Sequence, residues 1–265
     1  MDIAGYLASI FIGIALGLIG GGDSILTIPV LVYLFSIDAV LATAYSLFIV
    51  GSTSLVGSFS YFKKGWVDIK TAIFFGIPSV AAIFLTREYI LLVIPDDIFT
   101  VGSYTITKNI LLMLLFAILM IAASLSMIKR DRKASDEASQ KRQFNYLQIL
   151  IQGIFIGVIT GLIGAGGGFL IIPALVKLRK LSIKTAVGTS LVIISINSLM
   201  GFLFSLSHTF VKWGFLLSIT SIAIIGILIG SYFSTKIEGD KLKTAFGWFV
   251  LIMGVYIIIK ETILK

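Results

Sequence analysis

The sequence predicts an all-α polytopic membrane protein of two inverted repeats, each a Gly-broken short or re-entrant helix pair plus three spanning helices. Three observations predict it: a composition too apolar for water, a series of apolar runs, and an internal duplication. The 265 residues are 58% hydrophobic and only 13% charged, where a soluble domain carries about 25% charged residues. Such a chain cannot cover itself with polar groups, so the lipid bilayer has to be part of its solvent. The formal charge of +8 falls in short clusters between apolar runs. That is the mark of cytoplasmic loops and excludes a nucleic-acid partner, which would need a continuous basic face. With no cysteine in the chain, disulfides and thiolate metal sites are excluded as well. The start, Met1-Asp2-Ile3-Ala4, lacks the basic region of a secretory signal, so the first apolar run is expected to be retained.

In chain order the apolar runs are Ala4–Ile19, Ile25–Phe35, Val40–Phe62, Ile69–Leu85, Thr107–Ile128, Tyr146–Ile163, Phe169–Leu178, Thr185–Leu206, Gly214–Phe233 and Leu242–Ile259. The second and seventh are too short to cross a core of about 30 Å at 1.5 Å per residue. Both follow a glycine cluster and contain a proline, Pro29 or Pro173, whose expected role is to kink the helix. Between the fifth and sixth runs lies Lys129–Gln143, reading KRDRKASDEASQKRQ, a solvated loop without an apolar face. The chain therefore divides into an N-terminal transmembrane repeat (1–128), a charged cytoplasmic linker (129–145) and a C-terminal transmembrane repeat (146–265).

The duplication is read from two segments. Gly17-Leu-Ile-Gly-Gly-Gly-Asp-Ser-Ile-Leu-Thr-Ile-Pro29 matches Gly161-Leu-Ile-Gly-Ala-Gly-Gly-Gly-Phe-Leu-Ile-Ile-Pro173, at an offset of 144 residues (173 − 29). The offset continues without a gap through Ala42 and Ala186, Ser46 and Ser190, Ser54 and Ser198, and Gly57 and Gly201. Loop charge then orients the halves. Lys63, Lys64 and Lys70 mark a cytoplasmic loop, as do Lys177, Arg179, Lys180 and Lys184, and Lys236, Lys241 and Lys243. The loops at Asp38, at Asp96-Asp97 and at His208 to Lys212 fall outside. Repeat-related loops thus lie on opposite sides, which makes the halves inverted and puts both termini outside a cell (plasma or inner) membrane.

The chemistry concentrates at the glycine clusters, Gly20-Gly21-Gly22 and Gly164 to Gly168. A helix restarting after glycine presents unpaired N–H groups and the positive end of its dipole, which favour an anion. Broken helices in inverted halves build midplane substrate sites in this way. The plainer reading is that these glycines let helices pack closely. The candidate anion-binding residues are Gly20, Gly21, Gly22, Ser24, Ser46, Gly164, Gly166, Gly167, Gly168, Ser190 and Asn197. Their hydroxyls and amide could replace water around an oxyanion, or simply bond their own helices. Asp23 reads as the sole ionisable residue well inside an apolar stretch, matched by Gly167 in the other half. It is a candidate proton carrier, protons being the possible coupling ion, or else the N-cap of the helix that follows. His208, the single histidine, is expected at the surface. Metal clusters, nucleophile–base pairs and Walker-type loops are all missing, so no catalytic residue, cofactor or metal is assigned.

At Gly161–Pro173, followed by Ala186-Val187-Gly188-Thr189-Ser190, the sequence resembles the sulfite exporter TauE/SafE family of membrane permeases. The first half carries a weaker copy and then Lys64-Gly65-Trp66-Val67-Asp68, which looks like a family loop. The resemblance implies transport of sulfite, thiosulfate, sulfonates or related organic anions. The departure is Asp23-Ser24, where a family member more often has glycine and an apolar residue. A fixed negative charge there would oppose an anion unless it is protonated during transport. The competing readings are an anion channel of the same fold and a membrane assembly or sensor protein that transports nothing.

Overall fold

The computed structural model describes residues 2–19, 24–101, 104–128, 146–164, 166–179, 181–233 and 239–262. Ten helical elements run through the described residues. They are α1 (Asp2–Ile19), α2 (Ser24–Pro29, continuing as a π-helical turn Val30–Leu34), α3 (Ala39–Lys63) and α4 (Ile69–Leu85, continuing through a π-turn Thr86–Ile90 to Leu91–Val93). After a β-hairpin, β1 (Asp97–Val101) and β2 (Tyr104–Thr107), come α5 (Lys108–Ile128), α6 (Tyr146–Ile163), α7 (Gly168–Arg179), α8 (Ile183–Ser205), α9 (Trp213–Phe233) and α10 (Gly239–Thr262). Among the described residues, five helices are long and apolar enough to cross a membrane: Ala39–Lys63, Ile69–Val93, Lys108–Leu125, Lys184–Ser205 and Trp213–Gly230. Their outward faces are apolar, with Phe59, Ile77, Ile118 and Ile225 all exposed, as lipid contact requires.

Local chemistry sets the helix starts. The Asp38 carboxylate accepts from the Val40 and Leu41 N–H groups and caps α3. Its counterpart 144 residues on, Ser182, accepts from the Thr185 N–H and caps α8. Pro29 closes the α-helical part of α2 and the π-turn follows it directly, consistent with the expected kink.

Packing repeats at the same spacing. Without a hydrophobic drive between helices in lipid, small residues set how closely backbones approach. A Cβ at Gly13 would lie 2.1 Å from the Ala223 carbonyl oxygen, and one at Gly157 would lie 2.4 Å from that of Ser79. Gly157 and Ala223 are the 144-residue counterparts of Gly13 and Ser79, so α1 meets α9 as α6 meets α4. Gly57 faces Ile227 across α3 and α9, while Gly201 faces Ile83 across α8 and α4. The remaining pairs join α3 to α8 and α5 to α10, the latter through Ala117, Met120, Val250 and Ile257 in one buried cluster.

One element breaks this regularity. Fourteen residues separate Val93 from Lys108, but only five separate Phe233 from Gly239. The extra length in the first half forms the β-hairpin, which apolar periodicity does not signal.

Candidate functional site

In the second half the glycine break is real. α6 ends at Ile163 and α7 restarts at Gly168, with Gly164, Gly166 and Gly167 at φ +73°, +64° and +70°. These are left-handed conformations that glycine adopts without strain. The Leu170 and Ile171 N–H groups bond the Gly167 carbonyl at 3.0 Å, which leaves those of Gly168 and Phe169 without a partner within their own helix.

Three helices wall this break. A Cβ at Gly164 would meet the Thr43 carbonyl oxygen at 2.4 Å. One at Gly166 would meet Ser198 Oγ and Val50 at 2.9 Å, with Ile194 close behind. One at Gly167 would lie 2.5 Å from Thr160 Oγ1. The break therefore sits between the Thr43–Ser46–Val50 face of α3, the Ser190–Ile194–Ser198 face of α8, and the end of α6.

Most polar groups on these faces lack partners. Among the described residues, the hydroxyls of Ser46, Thr160 and Ser198 are buried with no hydrogen-bond partner, as are Thr27, Ser54 and the Asn197 Oδ1. An unpaired buried polar group costs about 1–3 kcal/mol, so a cluster of them beside a helix N-terminus is not a packing solution. Water or a small ligand that accepts from hydroxyls would satisfy them. Hydroxyl donors, a helix N-terminus and close backbone access together suit a small oxyanion.

The expected residues sort as follows. Gly164, Gly166, Gly167 and Gly168 form the break, and Ser46 is buried and unpartnered beside it. Asn197 donates to Ser79 Oγ at 2.7 Å, leaving its carbonyl oxygen unpaired. Ser190 is buried, but its hydroxyl donates to the Val187 carbonyl of its own helix at 2.8 Å. Gly20, Gly21, Gly22 and Asp23 lie outside the described residues, as does the linker 129–145, while Ser24 opens α2. His208 is at the surface as expected, 3.3 Å from Glu88.

Sequence reasoning missed Arg87. The apolar run ends at Leu85, which leaves Arg87 beyond it, but the π-turn carries α4 on to Val93 and Arg87 is only 3% exposed. Asp23 is therefore not the sole ionisable residue within an apolar segment. The guanidinium donates to Ser205 Oγ (2.8 Å) and Thr43 Oγ1 (3.0 Å), and its Nε has no partner. The available signal was an arginine two residues past an apolar run, within reach of a 25-residue helix.

The two family-like stretches also dock on each other. The Asp68 N–H donates to Thr189 Oγ1 at 2.9 Å. A Cβ at Gly188 would sit 2.3 Å from the Trp66 carbonyl oxygen, and Lys184 lies over the Trp66 ring.

A bundle with a broken, polar-lined interior inside an apolar shell defines a multi-pass helical membrane protein. The chain belongs to the sulfite exporter TauE/SafE family, whose model matches residues 6–257. It is 28% identical over 252 residues to a "probable membrane transporter protein" of Xylella fastidiosa (strain 9a5c), covering 93% of this chain and 91% of the relative. A similarly named protein of Bacillus subtilis, YdhB, is 26% identical over 90% of this chain and 93% of its own length. One from Methanocaldococcus jannaschii is 25% identical, covering 96% and 94%. No solved structure matches the chain. It is a multi-pass membrane transporter.

Proposed function

We propose that the protein is a secondary transporter of a small sulfur-containing anion, such as sulfite, thiosulfate, a sulfonate or a related organic anion. The observation that carries this is the cluster of unpartnered hydroxyls, Ser46, Thr160 and Ser198, around the N-terminus of α7. The anion is bound there by hydroxyls and backbone N–H groups, and the repeat-related glycines Gly20 to Gly22, outside the described residues, are assigned to the same site on their sequence match alone. The family description, sulfite exporter, points to the sulfur oxyanions among small anions.

Alternating access follows from two inverted halves, 1–128 and 146–265, rocking about this centre. Two groupings support the inversion. Asp38, Asp96, Asp97 and His208 line one cavity, while Lys64 and Lys184 both lie over the Trp66 ring. The loop after α2 thus groups with one set and its counterpart after α7 with the other. The basic set and the linker 129–145 are assigned to the cytoplasm and the first set, with both termini, to the outside.

The test is flux of radiolabelled sulfite and thiosulfate into proteoliposomes, with and without an imposed pH gradient. Saturable uptake establishes a carrier; flux that never saturates and cannot run uphill would make it a channel. Asp23 is assigned the coupling proton. Asp23→Asn and Asp23→Ala are both expected to abolish gradient-driven uptake while leaving exchange of anion for anion. If Asp23→Asn still accumulates anion in response to a pH gradient, the proton role is wrong.

A further inference from the structure

We infer that the cavity floored by Arg87 is an oxyanion-binding subsite, lying on the path between one membrane face and the glycine break. The inference rests on the anion-transport reading, and its test lets the two fail separately.

The cavity has a volume of about 530 Å³ and is lined by Arg87, Ser205, Thr209, Lys108, Asn109 and Asp38, with β-hairpin residues at its rim. That volume falls among small-molecule sites, about 300–1,000 Å³. Arg87 lies within the π-turn of α4, a distortion found preferentially at functional positions. A guanidinium has five N–H donors, and only two bonds are made here, to Ser205 and Thr43. Both hydroxyls pass their own protons to helix carbonyls, Gly201 for Ser205 and Val40 for Thr43. They are therefore fixed as acceptors and hold the planar head in place.

No carboxylate pairs with Arg87 among the described residues. The neighbouring charges are occupied otherwise. Asp38 caps α3 and accepts from Asn109, Glu88 faces His208, and Lys108 donates to the Leu91 and Ile94 carbonyls. Asp96 and Asp97 are exposed at the rim, where water screens them. A buried cation in a membrane helix without a counter-ion is costly and marks a functional position. The free Nε–H beside the outer Nη–H groups is the fork that binds a planar or tetrahedral oxyanion by two parallel bonds.

Thr43 connects this subsite to the centre. The same residue that accepts from the guanidinium packs its backbone against Gly164, so an anion leaving Arg87 is one residue from the break. The subsite has no repeat-related counterpart. The 144-residue counterpart of Arg87 is Ser231, and the hairpin at the rim has no equivalent length between α9 and α10.

The experiment measures thermal unfolding of the detergent-purified protein with thiosulfate, sulfite or sulfate at constant ionic strength, alongside proteoliposome flux. Wild type, Arg87→Gln and Arg87→Lys are compared. The expected result is an anion-dependent rise in melting temperature for wild type, clearly smaller in Arg87→Gln, where only the glycine-break site remains, and intermediate in Arg87→Lys. Transport KM should rise about 10- to 100-fold in Arg87→Gln, the range for losing hydrogen bonds to a charged group. If Arg87→Gln keeps both the anion-dependent shift and the wild-type KM, Arg87 is only a staple between helices and the subsite is wrong, while transport stands. Should Arg87→Gln fail to fold, Arg87→Lys decides: charge kept but fork lost predicts a raised KM, and an unchanged KM overturns the inference. If none of the three anions stabilises wild type, the cavity is not an oxyanion site, whatever the flux assay reports about transport.

Discussion

Gly164→Ala is expected to lower the melting temperature of the purified protein by roughly 6–12 °C, corresponding to about 3 kcal/mol in a chain of this size. Two costs combine. At φ +73° an L-residue pays about 1–2 kcal/mol for the left-handed conformation. The new Cβ would also lie 2.4 Å from the Thr43 carbonyl oxygen and 2.7 Å from its Cα. Those are backbone atoms of a buried helix that cannot swing aside, and overpacking of this kind costs about 1–3 kcal/mol. Gly76→Ala is the control, because nothing lies within 4 Å of a Cβ there and the residue is mid-helix in α4. It should be neutral or stabilising by up to about 1 kcal/mol. Equal melting of the two variants would mean the break is soft, and the rigid-site argument would fail. Transport should fall further than stability in Gly164→Ala, since Thr43 also positions Arg87.

The contrast between these glycines shows what sequence could and could not convey. Gly13, Gly157 and Gly164 are indistinguishable as letters in apolar runs. The first two sit inside helices and set the spacing to a neighbour, and Gly164 terminates a helix and turns the chain. The clustering of Gly164 with Gly166 to Gly168 did convey the break, because no helix survives four glycines in five residues. The run boundaries were legible for the same reason: lipid demands apolar length, and a polar interruption is unambiguous. Arg87 was not legible, because a charged residue past an apolar run ordinarily reads as the start of a loop. Only the π-turn, a property of backbone packing against α6 and α8, keeps it inside. The hairpin of Asp97–Thr107 left no trace for a related reason, since strands of four and five residues are too short to show a clear alternation.

Which hydroxyls are free is the least legible feature of all, and it yields the second large effect. Ser46 and Ser190 are repeat-matched and read alike in sequence, yet Ser190 donates to Val187 whereas Ser46 has no partner. Ser198 shares the state of Ser46 and lies 2.9 Å from where a Gly166 side chain would begin. An unpaired buried hydroxyl is a cost to the empty protein of about 1–3 kcal/mol, so replacing it with a methyl should stabilise the fold. The same replacement removes a donor from a bound oxyanion, and hydrogen bonds to charged groups contribute about 1.5–3 kcal/mol each. Ser46→Ala and Ser198→Ala should therefore raise transport KM by about 10- to 100-fold while melting at or above the wild-type temperature. Ser190→Ala should change KM by less than about threefold, because its proton is already engaged and the change is worth under about 0.7 kcal/mol. Opposite signs in stability and affinity separate a binding group from a structural one, since loss of packing would lower both. If Ser46→Ala and Ser198→Ala melt lower and bind as wild type does, the free hydroxyls serve the fold and the substrate site lies elsewhere in the bundle.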